Sequence, residues 1–315
     1  MEIAVPGSVA NLGGGFDTLA VAVQVYLRVR IVDVREDGGG KLTVARSTPA
    51  VSGENAVERA FAFLARQASG RVPSVRVEVE SDIPMAAGLG SSAAAAVAGI
   101  RVFEQVNGPM SEAARLGAAA AIEGHADNAA AVLFGGLTSV IESGESVYPQ
   151  EPWRRKDPVA LRWRWPEDLR LVVATPSVGL ATSKARAALA ATLPRIDAVF
   201  NLQRVLAFVH ALQTGDYSHL REAVQDRWHQ PARMPLVPQL EAVLALDDPE
   251  VLGAFLSGAG PSVALVARRD FGRIQQRLEE IYERAGSAVT VRTLAVHQSS
   301  QVMPAATASA HGRTV

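Results

Sequence analysis

The chain has no cysteine. Disulfides, thiolate catalysis and cysteine-held zinc are therefore excluded, and the absence fits a reducing compartment. It lacks any excess of positive charge, with a formal net charge of -1. Nucleic acids and anionic membranes recruit basic surfaces, so neither is expected as a partner. Long apolar runs are missing too. The longest, residues 93–100 and 118–122, fall far short of the ~20 residues that cross a bilayer. No basic stretch followed by an apolar one opens the chain, so no signal peptide is expected and a cytoplasmic place is. The histidines show no zinc-ligand spacing.

What is present suits a well-packed folded chain. Of 315 residues, 48% are hydrophobic, enough for a substantial core in two domains or one large one. Alternating apolar residues predict strands over 21–34 and 75–80. A glycine turn at 38–40 suggests that 41–45 returns as the hairpin partner of the first strand. Residues 3–5 form a short apolar start, cut off by Pro6 and Gly7. Helical spacing predicts helices over 55–67, 92–106, 111–121, 198–214, 217–228 and 271–285. Residues 142–168 are polar, rich in proline and hold three of the four tryptophans. They are expected to pass between two domains, with edge strands. Strands are expected at 169–175, 251–256, 262–267 and 289–295. The division is thus 1–150, 151–300 and a frayed tail over 301–315.

The most informative segment is Pro84-Met85-Ala86-Ala87-Gly88-Leu89-Gly90-Ser91-Ser92-Ala93-Ala94. Its glycines let backbone N–H groups turn toward one point. The helix that follows adds unpaired donors and a positive dipole end. Such a seat suits phosphate. Gly88-x-Gly90-x-x-Ala93 also fits a loose dinucleotide fingerprint, but residues 81–85 separate it from the preceding strand. The P-loop pattern is absent, and no lysine lies in the segment to meet terminal phosphates. A helix start with glycines for close packing is the alternative.

Three segments in order carry a resemblance: Pro6 to Asp17, the loop just described, and Leu256-Ser-Gly-Ala-Gly260-Pro-Ser262. Together they resemble the three motifs of the galactokinase, homoserine kinase, mevalonate kinase and phosphomevalonate kinase superfamily. The likeness is nearest to its homoserine kinase branch, through Asn11 to Asp17, Glu123-Gly-His-x-Asp-Asn128, Thr182-x-x-Ala-Arg186, residues 197–201 and Asp226-Arg-x-His-Gln-Pro-x-Arg233. Gly14, Ala126 and Ala232 depart from the family's usual residues, and none of the changes removes a polar group assigned to the chemistry.

The resemblance implies a two-domain α+β fold, a nucleotide site in the N-terminal half, and a C-terminal antiparallel sheet backed by helices. It implies transfer of the ATP γ-phosphoryl to the side-chain hydroxyl of L-homoserine, with Mg²⁺ held by Ser92 and Glu123. Asp17 is expected to meet the substrate ammonium, with Asn11 and Asn128 as further partners. Arg186 and Arg233 would grip the carboxylate. His125 would touch the substrate or support the loop, and His229 would be structural. Asn128 cannot accept a proton at neutral pH, so it would orient the hydroxyl. Asp127 and Asp17 remain alternatives as base. Asn55 is a candidate for the nucleoside end. Another small alcohol as substrate, a dinucleotide-binding oxidoreductase and a non-catalytic nucleotide binder stay open, as does a homodimer.

Overall fold

The computed structural model describes residues 1–51, 53, 55–142 and 157–298. Its first half comprises β1 (Glu2–Ala10), β2 (Leu19–Arg35), β3 (Leu42–Thr48), α1 (Ala56–Ala65), β4 (Ser74–Ser81), α2 (Ser91–Asn107), α3 (Glu112–Glu123), α4 (Asp127–Phe134) and β5 (Leu137–Ile141). Then follow β6 (Val159–Trp163), β7 (Arg170–Pro176), α5 (Thr182–Ala187), α6 (Arg195–Thr214), α7 (Leu220–Ala223), α8 (His229–Arg233), α9 (Leu240–Leu244), β8 (Val251–Leu256), β9 (Val263–Ala267), α10 (Phe271–Arg284) and β10 (Val289–Leu294).

The long β2 is the spine of a six-stranded sheet. β1 runs antiparallel along one edge, from Glu2 opposite Arg30 to Ala10 opposite Ala20. β4 and β5 share the other edge, and β6 closes the sheet beyond β5. The second sheet has the antiparallel order β10-β7-β9-β8. Alternation along its strands serves two cores, because successive side chains point to opposite faces. Leu171, Val173, Ala264 and Val266 join the core under the first sheet. Val172, Ala174, Val263 and Leu265 join a second core. That second core is covered by α10, whose Ile274, Leu278 and Tyr282 recur every four residues on one buried face.

Three expectations need correction. The strand at 3–5 does not stop at Pro6 and Gly7; it continues to Ala10 through a bulge there, which is where a sheet tolerates proline. β3 does not form a hairpin with β2. It pairs in parallel with β4, Leu42 opposite Val75, and α1 makes the crossover between them. Residues 217–228 are not one helix: α7 ends at Ala223. Asp226 then accepts from the N–H groups of Trp228 and Gln230, a local turn that competes with helix continuation. α4 was not foreseen. Of the polar stretch 142–168, Val159–Trp163 is an edge strand of the first sheet. Residues 143–156 and the expected tail over 301–315 lie outside the described residues.

Candidate active site

β4 delivers the chain to a turn that opens α2. Four carbonyls of this turn are tied to three separate segments. Ala86 O accepts from Leu180 N at 2.9 Å, Ala87 O from Ser262 N at 3.2 Å, and Leu89 O from Ser8 N at 3.1 Å. Gly88 O accepts from Ser257 Oγ at 2.6 Å. With the carbonyls drawn into protein, the N–H groups are left for something else. Those of Gly88 to Ala93 donate to no acceptor among the described residues. Gly90 caps α2 in the left-handed region, φ 69°, with no side-chain cap. A Cβ at Gly90 would lie 2.0 Å from Ser8 Oγ, and one at Gly88 2.2 Å from Ser257 O. Only glycine fits either place.

A polar cavity of about 350 Å³ opens at this helix start. Ser92 Oγ faces it and donates to Glu123 Oε1 at 2.8 Å, from the last residue of α3. Asn128, in the first turn of α4, is fixed from both sides. Its Oδ1 accepts from Ser8 Oγ at 2.7 Å, and its Nδ2 donates to Asp127 Oδ1 at 3.3 Å. His125 Nδ1 donates to the same Asp127 oxygen at 2.8 Å. That carboxylate raises the His125 pKa against the opposing effect of burial.

The far wall comes from the loop after β1 and from the second half of the chain. Asp17 and Arg186 form a two-pronged pair, with Nη2–Oδ1 at 2.8 Å and Nη1–Oδ2 at 3.0 Å. Asn11, Leu12 and Asp17 all sit at positive φ, 74°, 48° and 49°, a strained run of the kind that recurs at functional sites. Asn11 holds it: Oδ1 accepts from Asp17 N, and Nδ2 donates to Gly258 O at 2.9 Å. Arg233 is only 2% exposed and lines the cavity. It donates to the carbonyls of Ala185 and Gly258, yet no carboxylate pairs with it among the described residues. Burial, then repulsion by Arg186, pushes its pKa down to about 10. It remains a cation at neutral pH and lacks a counter-ion.

Behind this wall the buried His229 donates from Nε2 to Gly13 O at 2.8 Å. A carbonyl only accepts, so the proton sits on Nε2 and Nδ1 faces Arg233 Nη1 at 3.3 Å as acceptor. Phe16 stacks on the imidazole at 5.5 Å. Burial lowers the His229 pKa, the Arg233 charge adding to the effect. A depressed histidine pKa favours the fold above the unfolded value of about 6.5 and disfavours it as pH falls below that. Thermal unfolding followed across pH should therefore show stability dropping below about pH 6.5. His229→Gln, which keeps the donor to Gly13, should flatten that slope; an unchanged slope would refute the assignment.

The structure brings Asn11, Asp17, Ala86, Ala87, Gly88, Gly90, Ser91, Ser92, Ala93, Glu123, His125, Asn128, Arg186 and Arg233 to one cavity. Four members of the loop do not line it. Leu89 and Ala94 are buried anchors, Met85 lines a neighbouring cavity, and Pro84 lines neither. Two expectations shift in detail. Asp17 and Arg186, assigned to opposite ends of a ligand, pair with each other. The Asn11 amide is engaged by the loop it braces. Sequence reasoning gave no role to Ser8, Phe16 and Thr182, whose signal is their place in the motif segments, and missed Arg59, which joins the wall through the fold.

The neighbouring cavity, about 280 Å³ and more apolar, is lined by Pro49, Val51, Asn55, Val57, Val79 and Met85 among others. It meets the polar one at Arg59, Ser91 and Ser92. An apolar chamber leading to a ring of free N–H groups is the outline of a nucleotide site.

A family model for the N-terminal domain of GHMP kinases matches residues 55–136, and one for their C-terminal domain matches residues 208–284. Fold and site therefore define a kinase of the GHMP class, which sets aside the dinucleotide-binding oxidoreductase. The chain is 36% identical over 293 residues to a homoserine kinase of Solibacter usitatus, with 91% of each chain covered. It is 37% identical over 272 residues to one of Thermus thermophilus, covering 84% of this chain and 86% of the other. A crystal structure of homoserine kinase from Cytophaga hutchinsonii superposes with a TM-score of 0.79 at 26% identity, over 95% of both chains. The chain belongs to the homoserine kinase family of GHMP kinases.

Proposed function

We propose that this protein phosphorylates the side-chain hydroxyl of L-homoserine with ATP, forming O-phospho-L-homoserine and ADP. The observation that carries this reading is the pairing of two chemistries in one cavity. Unpaired backbone donors at the α2 start suit phosphate, and the Asp17, Arg186 and Arg233 wall suits a zwitterion. The adenosine end of ATP occupies the apolar cavity, with Asn55 at its edge. The phosphates rest on the N–H groups of Gly88 to Ala93. In the second substrate the ammonium meets Asp17, while the carboxylate lies between Arg186 and the unpaired Arg233. A zwitterion thus supplies each member of the Asp17–Arg186 pair with a new opposite charge.

Asn128 directs its free Nδ2 hydrogen at the acceptor hydroxyl, its amide plane fixed by Ser8 and Asp127. The hydroxyl oxygen bonds to the γ-phosphorus as the bond to the ADP oxygen breaks. Both candidate bases already carry partners. Asp127 Oδ1 is shared by His125 and Asn128, and Asp17 is held by Arg186. The hydroxyl proton leaves late, to the transferred phosphoryl oxygens. A loose transition state tolerates this, since positioning and charge stabilisation dominate phosphoryl transfer.

Mg²⁺ fits the donor set. Ser92 Oγ and a Glu123 carboxylate oxygen, 2.8 Å apart, are hard oxygen ligands of the kind it takes alongside phosphate and water. Among the described residues no group of three or more acidic or histidine side chains forms a metal cage. That matches an ion arriving with the nucleotide. Bound there, it would neutralise phosphate oxygens. A cytoplasmic place, where ATP is at hand, belongs to the same reading, and no described helix is long and apolar enough to cross a membrane.

The test is ADP release with L-homoserine, L-serine, L-threonine and mevalonate in parallel. Turnover should depend on homoserine and be much weaker with the others. Turnover with mevalonate alone would favour a kinase of another alcohol, and ATP binding without any turnover would favour a non-catalytic relative.

A further inference from the structure

Asn55 caps α1 by accepting from Val57 N, and Arg59 follows one turn later on the same face. Asn55 lines the apolar cavity alone. Arg59 lines both cavities and stands with Ser91 and Ser92 where they join. No lysine or arginine occurs from Pro84 to Ala94. The other cations of the polar cavity, Arg186 and Arg233, belong to the wall around Asp17 and Phe16. The junction therefore has a single cationic side chain among the described residues.

That side chain is held loosely. Its Nη2 lies 3.8 Å from Glu123 Oε1, beyond hydrogen-bond distance. Glu123 is 6% exposed in its side chain and Arg59 43%. Glu123 already accepts from Ser92 at 2.8 Å. A guanidinium with uncommitted donors thus stands above a near-buried carboxylate, at the point where the triphosphate of a nucleotide threads from one cavity to the other.

We propose that Arg59 is the phosphate clamp of the nucleotide site. In the free protein the Glu123 charge keeps its guanidinium over the neck. When a nucleotide enters and a cation satisfies Glu123, the planar fork donates to the phosphate oxygens instead. Arg59 thereby supplies the positive side chain that the glycine loop lacks. The inference rests on the proposed function and adds to it a residue that touches the nucleotide.

Calorimetric titration of adenosine and of ADP, each with EDTA and with Mg²⁺, separates the two readings. Arg59→Gln should weaken ADP about ten-fold or more while adenosine stays within about two-fold of the unaltered protein. Arg59→Lys, which keeps the charge and loses the fork, should fall between. ADP affinity unchanged in Arg59→Gln would overturn the clamp. Equal losses for adenosine and ADP would also overturn it, because they would mean that the arginine only shapes α1. An unaltered protein that binds neither ligand would overturn the proposed function itself, and the clamp with it.

Discussion

In Glu123→Gln, kcat should fall by about 10²- to 10³-fold while the homoserine KM stays within about three-fold. Glutamine matches the shape of glutamate and still accepts from Ser92 Oγ, so the local fold should persist. What it removes is the negative charge beside Ser92 Oγ, the pair proposed to hold Mg²⁺ against the phosphates. That charge would act on the transferring group, not on the amino acid, whose proposed contacts are on the opposite wall with Asp17, Arg186 and Arg233. Transition-state stabilisation is lost and ground-state binding of homoserine is kept, which places the effect in kcat. Steady-state ADP release at saturating ATP, repeated over a Mg²⁺ series, reads it directly. A kcat within a few-fold of the unaltered enzyme at every Mg²⁺ concentration would remove Glu123 from the metal site.

In Arg233→Met the homoserine KM should rise about 100-fold. The side chain is buried without an anionic partner, so the free protein bears the cost of a lone interior cation. The substrate carboxylate, as proposed, would relieve that cost on binding, which would make this contact stronger than a surface ion pair. Methionine fills similar volume and removes the charge. It also leaves the Ala185 carbonyl and His229 Nδ1 without this donor, while Gly258 O keeps its bond from Asn11 Nδ2. These two effects oppose each other in the free protein, and the thermal midpoint should move by no more than roughly 4 °C. Kinetics against homoserine, with melting curves of both proteins, test both halves. An unchanged KM would show that the carboxylate binds elsewhere. A large drop in the midpoint would show that Arg233 is chiefly a structural donor.

The parts of this molecule visible in its sequence are those whose chemistry demands a local pattern. The glycine turn before α2 is legible because close approach and positive φ at Gly88 and Gly90 admit no other residue. Asp17, Arg186 and Arg233 were legible through the motifs that hold them. What escaped depends on distance across the fold. Ser8 reaches Asn128 across 120 residues, and no spacing rule announces such a bond. Arg59 reads as an ordinary helix arginine until its cavity is seen. The pairing of β3 was misjudged because a glycine turn between two strand-like runs suggests a hairpin. The helix between β3 and β4 was the better guide, since a parallel crossover requires one. The supposed helix over 217–228 failed at Asp226, whose carboxylate ties down the N–H groups of its neighbours.

The carbonyls of the glycine turn are anchored by Ser8, Leu180, Ser257 and Ser262. Those anchors are scattered over most of the polypeptide, and two of them follow residue 250. During synthesis the turn itself emerges early, but its shape is completed only when Ser262 has left the ribosome. A nascent chain thus cannot complete this seat for ATP before residue 262 has emerged. For the same reason, separately expressed halves of this protein would each lack a nucleotide site, and mixing them would restore one only if the two sheets could dock.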